Sequence, residues 1–87
     1  MKKTIVKRLV YHSLASGETF LGAEEYDGRL TDENILGALH EEGKTAWINN
    51  HLWLIRGDNL LYRITVEEFP QYTKSWYDLL LDAIRRI

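Results

Sequence analysis

Residues 44–66, KTAWINNHLWLIRGDNLLYRITV, decide the fold. Apolar and β-branched side chains fill this stretch, and only Asn49-Asn50 and Gly57-Asp58-Asn59 break the run. Asn, Asp and Gly tolerate positive φ, so both breaks read as hairpin turns between three short strands. A two-residue turn at Asn49-Asn50 sets Trp47 opposite Leu52 and Ala46 opposite Trp53. The second turn spans two or three residues, and each length puts the last strand in a different register. In either register both sheet faces carry apolar residues. Helices on both faces, or one helix and a partner, would cover them.

Outward from this stretch, Thr4 to Ser13 is β-branched and aromatic-rich and reads as a strand. Ser16-Gly17 turns the chain into a second strand over 18–24, and Asp27-Gly28 turns it again. Thr31 or Asp32 caps a helix with Ile35, Leu36 and Leu39 on a narrow apolar stripe, and Gly43 ends it. Gly37 in mid-helix implies close packing on the sheet. After Ile64, a short turn is expected over Val66 to Phe69, ahead of Pro70. Ser75 and Asp78 resemble a capping box. Trp76, Leu79, Leu80, Ala83, Ile84 and Ile87 then follow the spacing of a core-facing helix. The expected fold is α+β: one small domain over 1–87, an antiparallel sheet of about five strands with two helices, in the order β-β-α-β-β-β-α. The basic start (Lys2, Lys3, Lys7, Arg8) reads as an exposed edge strand, where charge discourages aggregation.

Size and composition bound the function. Eighty-seven residues with no cysteine exclude a disulfide framework and a thiolate metal site. Lys7 and Arg8 interrupt the apolar run that a signal peptide would need, and no stretch approaches a membrane helix. The expectation is a cytoplasmic protein that does not engage membranes. The overall charge of −2 hides an asymmetry. Seven acids (Glu24, Glu25, Asp27, Asp32, Glu33, Glu41, Glu42) face one base, Arg29, between positions 24 and 42, a local net of −6 that leaves +4 elsewhere. Asp32 and Glu33 suit a helix start, but Glu41 and Glu42 oppose the dipole at its end. An unfavourable local choice of this kind marks the seven acids as a partner-binding face for a basic surface.

A second candidate site is an aromatic and basic sheet face built from Trp47, Trp53, Tyr62, Lys44, Arg56 and Arg63, which could stack bases and hold phosphates. The acidic chain, pI ≈ 5.9, argues against nucleic acid as the main partner. His12, His40 and His51 lack metal-site spacing, the serines lack a nucleophile context, and no glycine-rich phosphate loop is present. Arg56-Gly57-Asp58 matches an integrin-recognised tripeptide, which a hairpin turn explains equally well. No cofactor, metal or catalytic residue is expected, and the chain is not expected to be an enzyme. Small, cysteine-free acidic chains of this type often act as binding or inhibitory proteins, many of them carried by phages and mobile elements. The expected function is therefore occlusion of a protein partner through the acidic face. The alternatives are a nucleotide- or small-ligand-sequestering protein and a weak nucleic-acid-binding module. The two apolar sheet faces and the small size also predict a homodimer.

Overall fold

A computed structural model describes residues 2–73 and 76–85. The elements run β1 (Lys2–Ser13), β2 (Thr19–Asp27), α1 (Asp32–Glu41), β3 (Thr45–Ile48), β4 (His51–Arg56), β5 (Asn59–Thr73) and α2 (Trp76–Arg85). This is the expected order. One five-stranded antiparallel sheet results, with strands in the spatial order β2-β1-β5-β4-β3.

The stretch over 44–66 folds as its turn residues dictate. Asn49 and Asn50 both have positive φ, 51° and 66°, and close β3 onto β4 with Trp47 opposite Leu52 and Ala46 opposite Trp53. The second turn is the two-residue alternative. Gly57 and Asp58 join Arg56 to its partner Asn59, Gly57 supplies φ +61°, and a bulge at Leu54/Ile55 adjusts the register.

The core lies between α1 and one face of the sheet. Thr31 caps the helix, its hydroxyl accepting from the Asn34 N–H at 3.1 Å, with Asp32 and Glu33 in the first turn. Gly43, at φ +90°, ends it. Ile35 is buried against Leu9, Leu52 and Ile64, with Leu36, Leu39, Tyr11, Tyr26, Leu54 and Val66 around them. Strand alternation sends Val6, Arg8, Val10 and His12 to the opposite face. Among the described residues no helix covers that face.

Four expectations need correction. No turn forms over Val66–Phe69. β5 runs unbroken from Asn59 to Thr73, through Pro70, because β1 pairs with it along its outer half. β1 is an edge only over Lys2–Ile5. From Val6 onward β2 and β5 flank it, and Lys7 is buried. Its ammonium donates to the Leu30 carbonyl at 2.7 Å and to Asp32 Oδ1 at 2.9 Å, tying the start of α1 to the sheet. Gly37 has open space where a Cβ would stand, so helix packing does not require it. Lastly, the α2 stripe is open where its side chains are described: Leu80 is 48% exposed and Ile84 56%. The Ser75 capping box, and Ile87 on the helical stripe, lie outside the described residues.

The outer halves of β1 and β5 form a two-stranded ribbon, Lys2–Ile5 against Pro70–Thr73, with no third strand beside it. This ribbon makes an arm that leaves the sheet at its Lys7 end. The chain measures 56 × 27 × 18 Å, with a Cα radius of gyration of 17.6 Å. A compact chain of this length has about 12 Å.

Candidate functional site

The seven acids separate into three settings. Two are neutralised within the chain. Asp32 accepts from Lys7, and Asp27 forms a bidentate pair with Arg29, 2.7 Å at the shortest contact. The Arg29 side chain and backbone N–H together hold the Asp27 carboxyl well down, from 3.8 to about 2. Glu25 lies toward the open face as the cross-strand partner of Arg8, and accepts from Gln71 Nε2 at 3.4 Å. Glu33 is exposed in the first turn of α1.

Glu24, Glu41 and Glu42 are the third setting. Glu24 comes from β2, beside the bulge that follows Arg8, and Glu42 caps the C-terminal end of α1. The fold brings both carboxylates near the hydroxyls of Tyr11 and Tyr26. The Tyr26 hydroxyl donates to Glu24 Oε2 at 3.1 Å. Burial raises both phenol pKa values, and the two carboxylates raise them further. Both tyrosines therefore keep their protons at neutral pH and present O–H donors among carboxylate acceptors. Among the described residues no salt bridge neutralises Glu24, Glu41 or Glu42. The result is an acidic edge with two half-buried tyrosines at its base.

The second candidate set is divided by the sheet. Trp53 and Arg63 are direct cross-strand partners on the open face, in a row that runs Ala46, Trp53, Arg63, His12, Thr19 across all five strands. His12 Nε2 is hydrogen-bonded to Thr65 Oγ1 at 2.8 Å. Trp47 and Tyr62 lie on the α1 side. There the Trp47 ring sits 6.1 Å from His40, and Tyr62 packs edge-on against Tyr11 and Phe20 at 6.2 and 5.9 Å. Lys44, just ahead of β3, and Arg56, at the end of β4, are exposed, and the Ile55 N–H donates to the Lys44 carbonyl. A shallow open groove of about 860 Å³ lies at the neck of the arm, lined in part by Ile5, Val6, Tyr26 and Arg29. Among the described residues no three His, Asp or Glu side chains converge as a metal site, and no helix is long and apolar enough to cross a membrane.

Reading the sequence alone misses Tyr11 and Tyr26 as neighbours of the acids, and His12 as neighbour of Trp53 and Arg63. The available signal is the Ser16-Gly17 turn. It fixes which β1 residues face β2, and hence which face each aromatic shares. No protein family, no curated protein and no solved structure matches the chain.

Proposed function

We propose that this chain is a non-enzymatic protein-binding module that occludes a basic surface of its partner with the Glu24–Glu41–Glu42 edge. One observation carries the reading. Tyr26 donates to Glu24, and Glu42, from an element distant in sequence, adds its charge on both Tyr11 and Tyr26, with no salt-bridged cation on either carboxylate among the described residues, whereas Asp27 and Asp32 are neutralised within the chain. Uncompensated carboxylates steer a cationic partner and discriminate against acidic ones. Tyrosines at such an edge supply apolar contact area together with a polar tip. Small acidic inhibitors carried by phages and mobile elements are the type of protein that works this way.

The test compares the tagged chain with its Glu24→Lys/Glu42→Lys variant in a nuclease-treated bacterial lysate. A stoichiometric protein held by the parent and released by the variant, at an unlowered melting temperature, is the expected result. Equal retention by both would remove the acidic edge from the interface.

A second reading rests on the Trp53–Arg63–His12 row. A planar aromatic, a guanidinium and an imidazole in line on an uncovered sheet face suit a stacked base and its phosphate. It predicts oligonucleotide binding that weakens steeply with salt and falls at least about tenfold in Trp53→Ala. No oligonucleotide shift at low salt would exclude it.

A further inference from the structure

The β1–β2 ladder is interrupted once, beside the acidic edge. Arg8 pairs with Glu25 and Val10 with Leu21, so Gly22, Ala23 and Glu24 all stand opposite Leu9. A bulge leaves backbone groups outside the ladder and re-aims the side chains it carries. Glu24 is one of those side chains, and it accepts from the Tyr26 hydroxyl at 3.1 Å.

Two contacts hold the bulge. Arg8 Nε donates to the Gly22 carbonyl at 2.8 Å, in a part-buried bond that gives this bulge carbonyl a partner. Gly22 also lies close against β1. A Cβ there would come within 3.1 Å of the Leu9 carbonyl oxygen and 3.4 Å of Tyr11 Cε2. The bulge thus rests on the ring of Tyr11, whose hydroxyl feels the charges of Glu24 and Glu42.

Arginine suits this position better than lysine. Arg8 lies on the open face, with Glu25 and Glu67 as its cross-strand partners. A guanidinium carries donors along a rigid fork, so Nε can bond the Gly22 carbonyl while the terminal N–H groups remain available to these acids. A lysine has one ammonium at the end of its chain and offers no donor partway along it.

We propose that Arg8 is a positioning residue of the acidic edge: through the Gly22 carbonyl it holds the bulge that sets the Glu24 carboxylate against the Tyr26 hydroxyl. The use of Glu24 in binding rests on the function proposed above; its placement by Arg8 does not. A side chain on the open face thereby governs a contact on the edge beside α1, where it makes no contact of its own with Glu24 or Tyr26 among the described residues.

Site-resolved titration of the Tyr26 ring carbon by NMR tests this in Arg8→Met, which keeps the reach of the side chain and removes the donor. The sign of the shift decides. Loss of a nearby cation alone would raise the phenol midpoint, because the phenolate loses an attractive charge. Loss of Glu24 lowers it, because the carboxylate accepts from the neutral hydroxyl and repels the phenolate. Arg8→Met should therefore lower the Tyr26 midpoint, as Glu24→Gln does, and the double variant should titrate no lower than Glu24→Gln alone. An unmoved or raised midpoint in Arg8→Met, or a further fall in the double variant, overturns the proposal. Should Arg8→Met fail to fold, the parent itself carries a second readout. Its Arg8 Nε–H should exchange with solvent more slowly than that of exposed Arg56, and equal exchange overturns the proposal. Lowered Tyr26 titration together with unchanged partner retention from lysate would uphold the placement and remove the acidic edge from the interface.

Discussion

The two helices of this chain carry similar sequence signals and meet opposite fates. α1 has a narrow stripe, with Ile35 alone among its residues fully buried, yet it closes the core. α2 has the wider apolar stripe by sequence, and both of its described large apolar residues beyond Leu81 are exposed. The difference lies in what each helix follows. α1 leaves β2 through a loop that Lys7 ties to the sheet. α2 leaves β5 only after that strand has run past the last residue β4 can pair with. Amphipathicity states that a helix must be covered. The length of the preceding strand decides where along the sheet the helix begins.

The body should respond to truncation as a packed interior does. Leu52 is fully buried at the centre of the core, so Leu52→Ala should cost about 2–5 kcal/mol in denaturant unfolding, at every protein concentration. Leu80→Ala, at a position about half exposed, should cost less, within about 1 kcal/mol. If the two variants behave alike, the distinction between the core and α2 fails.

Gly28 stands at the border of the two regions. A Cβ there would collide with the Ile5 carbonyl, a backbone group that cannot swing aside. Gly28→Ala should cost about 3 kcal/mol, the upper part of the range for overpacking, and loosen the neck of the arm. Amide exchange at Ile5 and Gly28 faster than at Leu9 would locate the damage there. Uniform exchange would place it in the body instead.

Lys7 is a body residue whose ammonium joins the β2–α1 loop and the start of α1 to the sheet. Lys7→Met preserves the volume but leaves the Leu30 carbonyl without its ammonium donor, so a loss of about 1–3 kcal/mol is expected by thermal melting. A neutral outcome would mean that α1 holds its place by apolar contact alone.

The smallest effect belongs to Asp27. Its folded pKa lies below the usual 3.8, so the Arg29 pair contributes stability above that value and loses it as pH falls toward about 2. The side-chain carboxyl resonance should titrate near 2 in the parent and return toward 3.8 in Arg29→Ala. The melting temperature should hardly move, because the pair is exposed to solvent.

What could be read from sequence follows the same division. The hairpin over 44–66, the Thr31 cap and the Gly43 stop were legible because asparagine, threonine and glycine act on their own backbone. Burial of Lys7 and the passage of β5 through Pro70 were not, since both depend on pairing β1 with β5 across some sixty residues of chain. The candidate acids were legible as a charge run. Their sorting was not: the β1–β2 register and the turn of α1 separate Asp27 and Asp32 from Glu24 and Glu42. The aromatic set was split because one hairpin sends Trp47 and Trp53 to opposite faces.

The ladder from Lys2↔Thr73 to Ser13↔Tyr62 also has a consequence in time. It joins the first strand to the last, so β1 leaves the ribosome long before its main partner exists. Non-local pairing of this kind slows folding and prolongs exposure of unpaired strand. Lys2, Lys3, Lys7 and Arg8 then have a second use, as the charges that keep a waiting strand from pairing with other nascent chains. Once β5 arrives, a slip of one residue would carry Lys7 to the open face and away from Asp32. The residue that protects the early chain thus also checks the register of the finished one.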